Sequence, residues 1–142
     1  FIKLSKQMKK TTVFITHDLD EAVRVGHRVA IMRDGMVVQI GTPEEIVIDP
    51  ADEYVADFVK GISRLKVVQA KTIMQSLDNY KTSAGNPRAE HERVNENDLL
   101  SELIETSVSK DKPIIVVNNE NVEIGFITQS DLLKAVIEGN DN

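Results

Sequence analysis

The 142 residues suffice for one ordinary domain or two small ones, and a 41% hydrophobic share lets them bury a core. A net charge of −6 with acidic residues in both halves argues against nucleic-acid binding, which needs clustered basic surface to displace counterions from phosphates. The absence of cysteine excludes disulfide scaffolds and thiolate metal sites, and 4% aromatics without tryptophan disfavour base-stacking platforms and cages for quaternary ammonium groups.

No apolar run approaches the ~20 residues that span a bilayer; the longest, such as 114–117, are strand-sized. The start on Phe1 lacks an apolar signal region and a methionine, so we expect an internal piece without a signal peptide. The one basic cluster, Lys3, Lys6, Lys9 and Lys10, reads as a solvated helix face before a strand. Residues 11–16 are a short β-branched and aromatic run, the pattern of a strand buried on both faces. Residues 18–25 read as a short helix with acidic residues in its first turn, ended by Gly26. Two apolar runs, 29–33 and 36–40, flank Asp34-Gly35, a two-residue hairpin signal because the primed turn needs positive φ twice. Thr42, Pro43 and Glu45 predict an N-cap, a first-turn proline and a capping box. Asp49-Pro50 breaks the chain again before a helix-like stretch over 52–60, closed by Gly61.

Residues 65–74 fit either a strand end or a helix, and the polar stretch 77–94, with Gly85-Asn86-Pro87 inside it, reads as a long loop. Order returns at Asn97. Leu99, Leu100, Leu103 and Ile104 fall at helical spacing, 112–117 and 122–128 read as strands around a turn at 118–121, and 129–138 as an amphipathic helix with Leu132, Leu133, Val136 and Ile137 inward. There is no internal repeat and no low-complexity segment.

A histidine directly after a buried strand, at the mouth of the next helix, is placed for phosphate chemistry, because open α/β sheets bind ligands beyond the carboxyl ends of their strands. His17 sits there beside Asp18. Taken alone, a histidine at a strand end is more often a structural hydrogen-bonder. The surrounding run TVFITHDLDEAVRVGHRVAIMRDGMVVQIGTPEEI resembles the end of the nucleotide-binding domain of ABC transporters, with the resemblance covering residues 9 to about 59. That resemblance implies that His17 is the switch histidine contacting the γ-phosphate and helping to hold the attacking water, and that His27 is only structural. The family's glycine-rich Walker A loop, its Walker B carboxylate, catalytic glutamate and signature loop do not occur in these 142 residues. We therefore expect ATP and Mg2+ to belong to a full-length subunit, and this chain alone to be inactive.

The run NDLLSELIETSVSKDKPIIVVNNENVEIGFITQSDLLKAV resembles a CBS module, carried by Pro113, Gly125, Ile127, Thr128, Asp131 and Leu132. In members that bind adenine nucleotides the threonine and aspartate contact ribose and phosphate, which implies nucleotide binding at Thr128 and Asp131. The same pair also reads as an N-cap with an acidic N3 partner, which by itself accounts for both residue types. Such modules work in pairs; here only 65–74 looks like the opening of another, so one module per chain would need a partner from a second copy.

The expected fold class is thus α/β: the C-terminal fragment of a P-loop ABC nucleotide-binding domain (1–61), a degenerate CBS start and linker (62–96), and a small α+β CBS-type module (97–142). That order, with the junction YVADFVKGISRLKVVQAKTIM, resembles the ATP-binding subunits of the quaternary-amine importers for glycine betaine, choline and proline betaine. The resemblance implies an ATP hydrolase on the cytoplasmic face of the membrane, paired with a second copy of itself and with permease subunits, taking up a quaternary ammonium solute under CBS regulation. The rivals are a stand-alone CBS-type adenine-nucleotide or ionic-strength sensor without ATPase activity, and an importer for methionine or molybdate with an unrelated tail.

Overall fold

In the computed structural model, which describes residues 10–80, 90–108 and 111–138, the mixed α/β chain divides into two units between Ile62 and Ser63. In the first, Asp34 and Gly35 take φ of 51° and 77° and turn β1 (Val29–Arg33) into the antiparallel β2 (Met36–Gly41). Both central residues thus have the positive φ that a primed turn requires. A bulge between Ile31 and Met32 shifts the register, which runs Ala30↔Ile40, Ile31↔Gln39, Met32↔Val37.

Val29 and Ile31 point to one face of the hairpin and meet Ile46, Val55 and Val59 from α2 (Pro43–Ile48) and α3 (Glu53–Val59). The capping box forms as the sequence predicts: Glu45 N–H donates to Thr42 Oγ1 at 3.2 Å and Thr42 N–H donates to Glu45 Oε2 at 2.8 Å. Asp52 caps α3 by accepting Val55 N–H at 2.9 Å. The Asp49-Pro50 break is stapled by Gln39, whose Nε2 donates to the Asp49 carbonyl and whose Oε1 accepts Ala51 N–H. The other face of the hairpin leaves Met32, Val37 and Ile40 exposed.

Residues 11–16 differ from expectation. None belongs to a strand, and Val13 and Ile15 are 83% and 91% exposed. A β-branched run becomes a strand only when a neighbouring strand takes its backbone groups. Among the described residues none does. α1 (Leu19–Val25) follows, capped by Asp18, and Gly26 closes it by donating to the Ala22 carbonyl at 2.8 Å.

The second unit holds α4 (Ala70–Ile73), β3 (Gln75–Ser76), β4 (Arg93–Asn95), α5 (Leu100–Ser107), β5 (Ile114–Val117), β6 (Glu123–Ile127) and α6 (Gln129–Ile137). The strands form one sheet in the order β3-β6-β5-β4, with β4 parallel to β5 and the other pairs antiparallel. All four residues of β5 are buried, as befits a strand flanked on both edges. The stretch 65–74 resolves into a 3₁₀ turn at Arg64–Lys66 and α4, with Val67, Val68 and Ala70 buried.

The stretch read as a polar loop supplies β4 at its end, because Val94 slots beside Val116 while Arg93 and Asn95 stay polar; Gly85-Asn86-Pro87, Lys3, Lys6 and Lys9 lie outside the described residues. On α6 the inward stripe is Leu132 and Ala135. Leu133 and Ile137, expected inward, are 62% and 58% exposed, since the helix is turned so that Leu132 and Ala135 are its buried positions and Asp131 bonds Gln75 of β3.

Candidate functional site

The described residues hold two candidate sites, one in each unit. In the first, His17 is exposed and sits one residue before the N-cap of α1, and no hydrogen bond holds its ring among the described residues. Its neighbours are fixed. Asp18 Oδ1 accepts Glu21 N–H at 3.2 Å, Asp18 N–H donates to Thr16 Oγ1 at 3.0 Å, and the Thr16 hydroxyl donates to Glu21 Oε2 at 2.8 Å. The imidazole thus projects from a pinned turn with both ring nitrogens open to a ligand. It borders an open cleft of about 420 Å³, with Asp18, Leu19 and Asp20 on its own side and Phe58, Gly61 and Ile62 opposite. The sequence pointed to His17 and Asp18. It did not point to the Thr16–Glu21 contact, although Asp18 and Glu21 stand at capping-box spacing.

In the second unit Thr128 and Asp131 come together, as N-cap and N3 of α6. Asp131 N–H donates to Thr128 Oγ1 at 3.2 Å, while Asp131 Oδ2 accepts the Thr128 N–H at 2.9 Å, the Thr128 hydroxyl at 2.8 Å and Gln75 Nε2 at 2.9 Å. Burial pushes the Asp131 carboxyl up, but these bonds from Gln75 and Thr128 outweigh it and hold the group below its usual range. Oδ2 is therefore saturated by the protein, and Oδ1 is the carboxylate oxygen left for any ligand. Gln75 had no signal in the sequence, because it reaches Asp131 from 56 residues away.

A third polar feature was also unsignalled. His91, 4% exposed, lies with its ring nitrogens 3.3 Å from the Tyr80 hydroxyl. Burial first, then the charges of Lys112 and Arg93, lower its pKa below the ordinary imidazole value, against the raising influence of Glu90 and the Pro113 backbone. Among the described residues no group of histidine, aspartate and glutamate is arranged to hold a metal ion, and no helix is long and apolar enough to cross a membrane.

No protein-family model matches the chain. Curated proteins do. The chain is 32% identical over 136 residues to a trimethylamine N-oxide transport system ATP-binding protein of Pelagibacter ubique, covering 96% of this chain and 38% of that protein. It is 37% identical over 137 residues to a glycine betaine/carnitine transport ATP-binding protein of Listeria monocytogenes, covering 96% and 32%. It is 38% identical over 134 residues to a glycine betaine transport ATP-binding protein of Bacillus subtilis, covering 94% and 29%. The chain thus spans about a third of the length of these relatives and matches their C-terminal part. Among solved structures, the CBS domain of a bacterial CNNM/CorC family Mg2+ transporter aligns at 18% identity over 84% of this chain and 62% of that one, but its TM-score of 0.29 is too low to bear on the fold.

Proposed function

We infer that this chain is the C-terminal part of an ATP-binding subunit of an ABC importer that takes up a small methylated amine such as glycine betaine or choline. The observation that carries the reading is likeness over 94–96% of the chain to three ATP-binding proteins of such transport systems. The exposed, unbonded imidazole of His17 on its pinned turn supports the same reading. There it would donate a hydrogen bond to the γ-phosphate and help hold the attacking water, a contact that gains strength as charge develops on the phosphate. The chain's own residues do not fit a whole ATP site. The sequence has no glycine-rich phosphate loop, and among the described residues no carboxylate group is arranged to hold a metal ion, so the 142 residues alone should neither bind Mg-ATP there nor hydrolyse it.

In this reading residues 1–61 complete a P-loop nucleotide-binding domain, 62–96 are a degenerate CBS start and linker, and 97–142 form a CBS-type regulatory module. The partners are a second copy of the subunit and the membrane permease, on the cytoplasmic face of the membrane. The test is His17→Ala in the complete subunit. ATP turnover should fall at least about 100-fold while nucleotide binding persists; near-normal turnover would remove His17 from the chemistry.

An adenine nucleotide at Thr128 and Asp131 is the regulatory side of the proposal, supported by the open Oδ1 of Asp131 next to the N-cap hydroxyl. Titration of this chain with ATP and AMP, and of Asp131→Ala beside it, decides that point. Binding that survives the substitution would place the nucleotide elsewhere, and no binding to either chain would leave the pair as a cap alone.

A further inference from the structure

At residues 42, 99 and 128, three helix starts with a carboxylate at N3, that carboxylate accepts the N–H of its own N-cap residue directly, at 2.8 to 2.9 Å. The start of α1 has its carboxylate, Glu21, at the same position, yet the bond goes elsewhere. Glu21 Oε2 takes the hydroxyl of Thr16 at 2.8 Å, and the Thr16 oxygen in turn takes the N–H of Asp18 at 3.0 Å. The Glu21 N–H returns to Asp18 Oδ1 at 3.2 Å and closes the circuit. The capping carboxylate is thus relayed through a hydroxyl two residues before the N-cap, and the residue enclosed by the relay is His17. A helix needing only a cap has the shorter solution used at the other three sites.

We propose that Thr16 and Glu21 are positioning residues for His17. Together they fix the backbone on both sides of the imidazole, so that it meets the γ-phosphate with little left to order. The inference rests on the reading of His17 given above. The hydroxyl has a set direction in this arrangement: its proton is committed to the carboxylate and its lone pair to the Asp18 amide. The ordering is complete at folding and is not repeated in the transition state, which is where misplacement of a contact shows as lost turnover.

The experiment is made in the complete subunit with Thr16→Val, Thr16→Ser, Glu21→Ala, Glu21→Gln and His17→Ala. Thr16→Val and Glu21→Ala should lower kcat between about 10- and 100-fold, with KM for ATP moved less than about twofold because ground-state binding does not depend on the contact. Thr16→Ser and Glu21→Gln keep a donor and an acceptor and should recover most of that loss. Thr16→Val added to His17→Ala should cost no further turnover, whereas a merely structural role would lower it again. Asp18 amide exchange, read independently of turnover and usable even if Glu21→Ala fails to fold, should quicken in Thr16→Val. Wild-type kcat in Thr16→Val beside an inactive His17→Ala overturns the brace and leaves the role of His17 standing. So does a full further loss on the His17→Ala background, or unchanged Asp18 exchange. Normal turnover in His17→Ala overturns both.

Discussion

The Gln75 side-chain amide donates to Asp131 Oδ2 at 2.9 Å and so ties the edge strand β3 to the first turn of α6. Asp131→Ala removes the acceptor for three donors at once. Loss of a cap costs about 0.5–2 kcal/mol, and here Gln75 is left unpaired as well, so the upper part of that range is expected. Asp131→Asn keeps an acceptor oxygen and should cost less. Urea unfolding of the two variants, followed by α-helical signal, checks the order.

The same carboxylate sets a pH dependence. Its folded pKa lies below the unfolded value, so its contribution to stability is present above about pH 4 and is lost as pH falls through the folded value. Gln75→Leu withdraws one of the bonds that hold the pKa down and should shrink the loss. Unfolding midpoints between pH 6 and pH 3 for the native chain and this variant supply the comparison. Identical acid slopes would mean that Gln75 does not bond the carboxylate.

His91 acts in the same direction as Asp131 but at higher pH, around the imidazole range. The Tyr80 ring meets Phe126 edge-on at 5.2 Å, and its hydroxyl lies 3.3 Å from the ring nitrogens of the buried imidazole. A histidine with a lowered folded pKa is stabilising while neutral, above the unfolded value of about 6.5. That stability is lost as pH falls below this value toward the folded one. Melting temperature should therefore be flat from about pH 8 to 7 and decline below about 6.5. His91→Gln, which cannot take up the proton, should flatten the decline between pH 6.5 and 5 in the same melts.

Two glycines should respond differently to alanine. Gly125 faces β3, where a Cβ would stand 2.7 Å from both the Gln75 carbonyl oxygen and Met74 Sδ, so β3 and β6 would have to separate. Overpacking of this kind costs about 1–3 kcal/mol. Gly35 has nothing within 4 Å of its Cβ position, and its cost comes only from φ of 77°, about 1 kcal/mol for a residue with a side chain. Thermal melts of the two variants rank them, with Gly125→Ala lower.

Local signals and long-range ones divided sharply in legibility. Asp34-Gly35, the Thr42–Glu45 box and the Thr128–Asp131 box could be read because turn and cap chemistry acts over two to four residues. His17 was found because it follows a strand-like run and precedes a helix start. Gln75, Tyr80 and His91 gave no signal, since their partners are chosen by the tertiary arrangement of β3, β5, β6 and α6. β4 was hidden for a related reason: a three-residue strand with one buried position, Val94, has too few residues to show a period. Leu133 and Ile137 were misplaced because helical spacing marks a stripe about 100° wide without saying which edge of it meets the sheet.

Residues 11–16 give the last prediction, one that bears on the P-loop reading directly. Here Val13 and Ile15 are exposed and pair with no strand among the described residues. Val13→Lys and Ile15→Lys should therefore change the stability of the 142-residue chain by less than about 0.5 kcal/mol, as surface substitutions do. If the run is a central strand of a parallel sheet in the complete subunit, the same lysines become unpaired buried charges there, a change severe enough to abolish folding. Soluble yield and melting temperature of both proteins measure the contrast. Equal tolerance in the two would mean that the run is not an interior strand of the larger domain, and that His17 does not emerge from the end of one.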